Sequence, residues 1–304
     1  MMVGTGPFRL DRPEANRVSL RAHDAYWRAR PFVDAVQIET GRPPAAQVTD
    51  LEAGRADIVS LRPTDAARVS RRGLRVEASR PSELVALVFE PHRATDAATA
   101  WRRTFSGAFD RGAIARVVLQ GHGMPARTLI PAWLSGYAPI VVLPDRPALS
   151  RSAIAALPPA ERDVTIRVDA GDAVSQAIAE RIAADTREAG FTVKVQTAAG
   201  LAPRADARLT RVALTPTTPD RVFAQTSARL ASRGWPAIAP AENAALDATY
   251  RAEQALLDRL VVVPIVHVPS LVGLGERVGF STAGRARSIV DWDLADVWLQ
   301  GGTR

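Results

Sequence analysis

The chain contains no cysteine. That excludes a disulfide framework, a thiolate metal site and a cysteine nucleophile. Lysine is almost absent as well: Lys194 is the single one among 39 basic residues, so arginine carries the net charge of +7. The arginines are scattered among Asp and Glu. Their densest run, Arg68 to Arg75, holds no aromatic residue on which a base could stack, so nucleic acid is not expected as a partner. No apolar run approaches the ~18 residues that a membrane helix needs, and the chain is not expected to span a membrane. Residues Met1 to Phe8 have no basic segment and no apolar stretch, and do not read as a signal peptide.

Catalytic signatures are missing too. There is no G-x-S-x-G elbow, no H-E-x-x-H, no phosphate loop and no dinucleotide fingerprint, so a hydrolase reading has no motif behind it. The four histidines, His23, His92, His122 and His267, are far apart and lack ligand spacing. Gly121-His122-Gly123 follows a helical pattern and reads as a cap and turn. No catalytic residue, metal or cofactor is expected.

What is present suits a globular protein. At 304 residues, 47% hydrophobic and 23% charged, the chain can bury one large core or two ordinary ones. Residues 6–40 read as short strands around Phe8-Arg9-Leu10, Val18-Ser19-Leu20 and Val33 to Ile38. Pro43-Pro44 open a helix that Gly54 stops, Asp57-Ile58-Val59 form a strand, and Pro63 opens a helix over 63–71. Val85 to Phe89 is a continuous apolar run of strand length, as in a strand buried on both faces. Trp101, Phe105, Ala108 and Phe109 share one helical face. Asp110 caps a further helix with Ile114, Val117 and Val118 inward. Residues 122–147 read as a long ordered loop.

Residues 163–196 carry the clearest signal, a βαβ unit. Val164, Ile166 and Val168 alternate; Asp172 starts a helix through Val174, Ile178 and Ile182; Gly190 ends it; Phe191, Val193 and Val195 alternate again. A strand over 207–214 and helices over 219–232 and 242–260 follow. Strands at 262–268, 271–274 and 278–280 lead to a tail with Trp292 and Trp298. Strands at both ends around a helical middle suggest two lobes, with crossings near 88–92 and 260–264.

Several segments resemble the family 5 bacterial solute-binding proteins, which include dipeptide-, oligopeptide- and nickel-binding members. Gly4-Thr5-Gly6-Pro7-Phe8 is similar to that family's G-T-G-P-[YF] turn. Asp24-Ala25-Tyr26-Trp27 with Pro31-Phe32-Val33-Asp34 resembles its D-Y-W … P-x-x-D stretch. Leu51 to Ile58 matches L-x-x-G-x-x-D. Arg102, Asp110-Arg111 and Ile114 match its helix pair, with Thr104 in place of the usual Ala. Gly121 to Ala126 with Ile130-Pro131 matches the loop after that pair, and Pro264-Ile265 resembles a late strand. The segments occur in the family's order along nearly the whole chain.

The resemblance implies an α/β, type II periplasmic-binding-protein-like fold with two lobes: 1–89 as part of lobe I, 90–261 as lobe II and 262–304 returning to lobe I. The first part of lobe I and an extra domain of the family are expected to be missing. It implies a substrate-binding component of an ABC transporter, periplasmic or extracytoplasmic, with a peptide or other small solute and the permease subunits as partners. The family's peptide-binding G-W-x-x-D-Y-x-x-P stretch corresponds to Val212 to Asp220, which lacks the Trp and places Asp220 after the Pro. A free peptide N-terminus therefore loses its expected counter-ion. Glu90 stands where the family often has Asn, and could face a cationic ligand or serve as a solvated hinge residue. The expected ligand-lining residues are Phe89, Glu90, Trp133, Thr215 and Thr217. Other readings are a ligand-sensing domain of a transcriptional regulator and a truncated, non-functional remnant.

Overall fold

The computed structural model describes residues 4–93, 95, 98–135, 154–198, 205–214, 218–231, 246–280 and 294–301. In chain order these form β1 (Phe8–Glu14), β2 (Arg17–Ala22), β3 (Ala35–Glu39), α1 (Pro44–Glu52), β4 (Ile58–Leu61), α2 (Pro63–Arg71), β5 (Arg75–Phe89), α3 (Thr99–Gly107) and α4 (Arg111–Ala113). They continue with β6 (Met124–Pro125), α5 (Ala132–Ser135), α6 (Pro159–Arg162), β7 (Asp163–Asp169), α7 (Ala173–Ala189), β8 (Thr192–Ala198) and β9 (Ala207–Ala213). The last are α8 (Pro219–Ala231), α9 (Leu246–Asp258), β10 (Val262–Leu274), β11 (Val278–Phe280) and β12 (Val297–Leu299). Two compact units result: Met1–Arg80 with Pro269–Arg304, and Pro81–Val268. The chain passes between them within β5 and again within β10. The sequence expectation divides instead at 89/90 and 261/262, where apolar runs begin or end.

In the first unit β1, β2 and β3 form an antiparallel meander. A separate core lies where α1 and α2 cover β4, through Val48, Leu51, Val59, Leu61, Ala66 and Val69. Proline starts both helices at the first helical position, where its missing N–H costs nothing. Gly54 follows α1 with φ +67°, a backbone that other L-residues adopt at a cost. β4 pairs with residues Leu271–Leu274 of β10. There Gly273 is a steric requirement: a Cβ would stand 2.6 Å from Leu51 Cδ2.

The second unit is built on one sheet in the order β10–β5–β9–β7–β8, with β6 on β10. β5 is antiparallel to β9, and β7 is parallel to both β8 and β9. The βαβ unit forms as its periodicity predicts. Asp172 accepts from Ser175 N at 3.1 Å, and Gly190 (φ 111°) closes α7. The period of two divides β5 cleanly. Val85, Leu87 and Phe89 join Ile166, Trp101, Phe105 and Ile178 in one core layer. Leu84, Ala86 and Val88 join Val212, Phe223, Leu256 and Leu257 in the other. A strand covered on both sides must read as an unbroken apolar run.

Four expectations are corrected. Val117 is exposed rather than inward, because α4 opens into a π-helix over Ile114–Val118. Leu119 N bonds Ile114 O and Gly121 N bonds Ala115 O, and these wider turns rotate Val117 away from the core. β5 runs from Arg75, ten residues before the apolar run, and β10 is continuous through Pro269-Ser270. The segment 122–147 contains β6 and α5; residues 136–147 lie outside the described residues, as does Trp292.

Candidate ligand-binding site

In open α/β sheets, ligands bind beyond the carboxyl ends of the strands. In the second unit those ends belong to the parallel strands β7, β8 and β9. Next to them Arg211 lies between two carboxylates. Its Nε donates to Glu83 Oε2 at 2.9 Å, with a second bond from Nη2, and its Nη1 donates to Asp172 Oδ1 at 3.3 Å. Asp172 has a second duty as the cap of α7. Glu83 is placed by its β pairing with Ala213. Burial alone would lower the Arg211 pKa, but the two carboxylates outweigh it and raise it. All three side chains keep between a fifth and a third of their surface exposed. The result is a cation held between two carboxylates with part of its surface still open to solvent. Arg208 and Asp169 are neighbours at 3.9 Å.

The opposite end of the same sheet is knotted shut. Asp206 accepts from Arg93 Nε at 2.7 Å, from Thr165 N at 2.8 Å and from His92 Nε2 at 3.3 Å. Burial pushes its pKa up, and these donors more than reverse that, so it is lowered. Arg93 also covers the Trp101 ring, 4.5 Å from its centre. This cluster fastens the turn after β5 to the start of β7.

The structure describes three of the five sequence-predicted residues. Phe89 is fully buried, edge-on to Trp101 and Phe105, and serves the core. Glu90 is partly exposed beside the knotted end, with its carboxylate 3.6 Å from Arg167. Trp133 is half-buried in α5. Thr215 and Thr217 lie outside the described residues. The residue before them, Leu214, follows the carboxyl end of β9, whereas Phe89 pairs with Ala207 at its start. The sequence reading missed Glu83 and Arg211. Each had a signal: a charge at the mouth of the apolar run 84–89, and a charge inside the strand 207–214. Among the described residues no group of three or more His, Asp or Glu could hold a metal ion.

Several of the residues that carried the resemblance make structural contacts. Arg102 is fully buried and donates to the carbonyls of Arg93, Thr95 and Arg259 at 2.6–3.1 Å. Arg111 Nε donates to Pro264 O at 2.8 Å. The loop 126–131 is held by buried Glu253, which accepts from Leu129 N and Ile130 N at 2.6 and 3.0 Å, and by His267, whose Nε2 donates to Leu129 O at 3.3 Å. These contacts tie the helix pair and the loop after it to β10 and its neighbours.

Residues 1–249 match the family described as bacterial extracellular solute-binding proteins, family 5 middle. The chain belongs to this family. Its curated relatives include the dipeptide-binding protein of Escherichia coli, 24% identical over 138 residues (44% of this chain, 26% of the relative). Another is Protein XP55 of Streptomyces lividans, 27% identical over 208 residues (64% and 38%). The match thus spans between a quarter and two fifths of those relatives. Among solved structures, the ABC transporter substrate-binding protein CtaP of Listeria monocytogenes aligns with 98% of this chain over 67% of its own, with a TM-score of 0.80 at 16% identity. NikA of Brucella suis, solved with Fe(III)-EDTA, aligns with 98% over 68%, with a TM-score of 0.77 at 20% identity. The family 5 chain therefore has the α/β, type II periplasmic-binding-protein-like fold that the sequence reading expected.

Proposed function

We propose that this family 5 chain forms part of an extracytoplasmic substrate-binding component of an ABC importer, that it performs no catalysis, and that it takes a peptide or another small polar solute. The ligand-contacting groups in this reading are Glu83, Arg211 and Asp172, together with Thr215 and Thr217 in the stretch that follows β9. The observation that carries it is the Glu83–Arg211–Asp172 network, held at the carboxyl ends of parallel strands and left partly open. Relatives described as binding dipeptides support the solute class. A cation between two carboxylates can offer Arg211 to a ligand carboxylate and Glu83 to a ligand ammonium. This recovers a counter-ion that the departure at Val212 to Asp220 otherwise removes.

The test is a thermal-shift and calorimetric screen of the full gene product with dipeptides, longer peptides, amines and chelated nickel. The expected result is stabilisation by one solute class, weakened at least tenfold in Arg211→Met and Glu83→Gln, each worth about 1.4 kcal/mol or more of binding. A solute that binds the variants as tightly as the parent would remove these residues from the site. No response to any solute would sink the function.

A further inference from the structure

The chain's one lysine stands in the middle of an open strand. In the order β10–β5–β9–β7–β8, β8 is the last strand of its sheet. It pairs with β7 in parallel, step for step, from Asp163 against Thr192 to Asp169 against Ala198. Among the described residues no strand lies on its other side, so its outer N–H and C=O groups form an unpaired row. Thr192, Lys194 and Thr197 are exposed, and Val193, Val195 and Gln196 are partly buried. Val193 and Val195 pack on the core layer that β7 and α7 share. Natural edges are blunted by shortness, by proline, by a bulge or by charge. β8 is seven residues long, holds no proline and keeps its register throughout. Its one such device is Lys194, the only lysine in the sequence.

We infer that β8 is a pairing edge for a second copy of this chain, joined antiparallel about a two-fold axis through Val195. A two-fold contact uses the same patch on both copies, so the strand must be complementary to itself. The register centred on Val195 sets Lys194 opposite Gln196 and Val193 opposite Thr197, each pair occurring twice. Opposite residues point to one side of the sheet, so the ammonium lies beside the Gln196 amide. The oxygen of that amide is buried without a hydrogen-bond partner, a costly state for an acceptor. Rotating the amide toward the second copy's lysine gives the oxygen a donor. The register centred on Lys194 would set ammonium against ammonium, so the same side chain selects one alignment and excludes its neighbour. Val193 and Val195 of both copies fall on the α7 side and continue the apolar layer across the joint. A seven-residue joint is small on the scale of stable interfaces, so the dimer is weak and forms as concentration rises. The open edge and its register carry the inference, and a failed solute screen leaves it standing.

The experiment is light scattering and amide hydrogen exchange on the 304-residue chain, from low micromolar to submillimolar protein. The expected result is a monomer that becomes a dimer over this range, with exchange slowed in β8 and unchanged in β1–β3 as concentration rises. Gln196→Lys sets lysine against lysine and should weaken the dimer by about tenfold or more. Adding Lys194→Glu to it restores opposite charges in the same register, and should return the affinity to within about threefold of the parent. Circular dichroism and exchange in β5 and β9 check that each variant is folded. A parent chain that stays monomeric throughout, or a dimer whose β8 amides gain no protection, overturns the inference. So does a folded double variant that associates no better than Gln196→Lys.

Discussion

The two units contain sheets written in the same period-two code and completed to different degrees. In the second unit, β5 hides alternate residues on both sides, and Phe89, Trp101, Phe105 and Phe191 interlock edge to face and stacked. In the first unit, β1–β3 align their apolar residues as regularly, but Leu10 and Ile38 are exposed and Phe8, Val18, Leu20 and Val36 only partly buried. Alternation therefore specifies which face is apolar, and says nothing about whether a layer lies against it. Burial, and with it stability, depends on that second layer.

Truncation inside the aromatic core sharpens the contrast most. Phe105 is fully buried, stacked on Trp101 at 5.5 Å and edge-on to Phe191 at 5.2 Å. Phe105→Ala should cost about 3–5 kcal/mol, from lost burial and the cavity left behind. Urea unfolding monitored by Trp fluorescence reads it. A loss under 1 kcal/mol would mean the second unit is no better packed than the meander.

A buried histidine gives the next effect. Burial lowers the His267 pKa from 6.5 to about 4, although its bond to Leu129 O acts in the opposite direction. The unfolded chain takes up this proton near pH 6.5 and the folded chain only near pH 4. Between those values the unfolded state binds more protons, so stability is complete above the window and falls as pH drops through it. The loss approaches about 3 kcal/mol at pH 4. His267→Gln keeps a donor for Leu129 O and should flatten the curve by that amount. A variant with the parent's pH dependence would assign the effect elsewhere.

Much of this architecture could be read in the sequence because it depends on local pattern. The βαβ unit follows from Asp172, Gly190 and the alternation at Val164, Ile166 and Val168. α1 and α2 follow from their opening prolines. The pattern failed where distant chain decides the outcome. Arg75 to Ser82 look too polar for a strand; β9 pairs only with Glu83 to Phe89, and β10 is the other neighbour of β5 in the sheet. Val117 obeys an α-helical period that the π turn breaks. The strand-end network was not legible: neither Glu83 nor Arg211 was among the expected ligand-lining residues. Phe89 was expected at a chain crossing, and its full burial against Trp101 and Phe105 makes it a core residue. Strand direction is a property of the sheet and cannot be read from one strand.

The strand-end network should matter little to stability. Arg211 and Glu83 each keep 34% of their side chains exposed, and exposed pairs contribute about 0–1 kcal/mol. Glu83→Gln and Arg211→Met should shift the urea midpoint by no more than that while changing solute affinity far more. A larger loss of stability would make the network structural, like the Asp206 knot at the sheet's other end.

The smallest effect is the most discriminating one. Ile38→Lys puts a charge in a strand, and in the second unit the same change at Ile166, which is fully buried, should prevent folding because an unpaired ammonium cannot be solvated there. At Ile38 the ammonium reaches water, and lysine is tolerated at a sheet edge, so the isolated chain should change by within about 0.5 kcal/mol. The comparison of the two sheets depends on that inequality. Matched urea titrations of Ile38→Lys and Ile166→Lys measure it. If Ile38→Lys cost as much as 2 kcal/mol, a layer would already cover the apolar face of β1–β3, and the difference between the units would vanish.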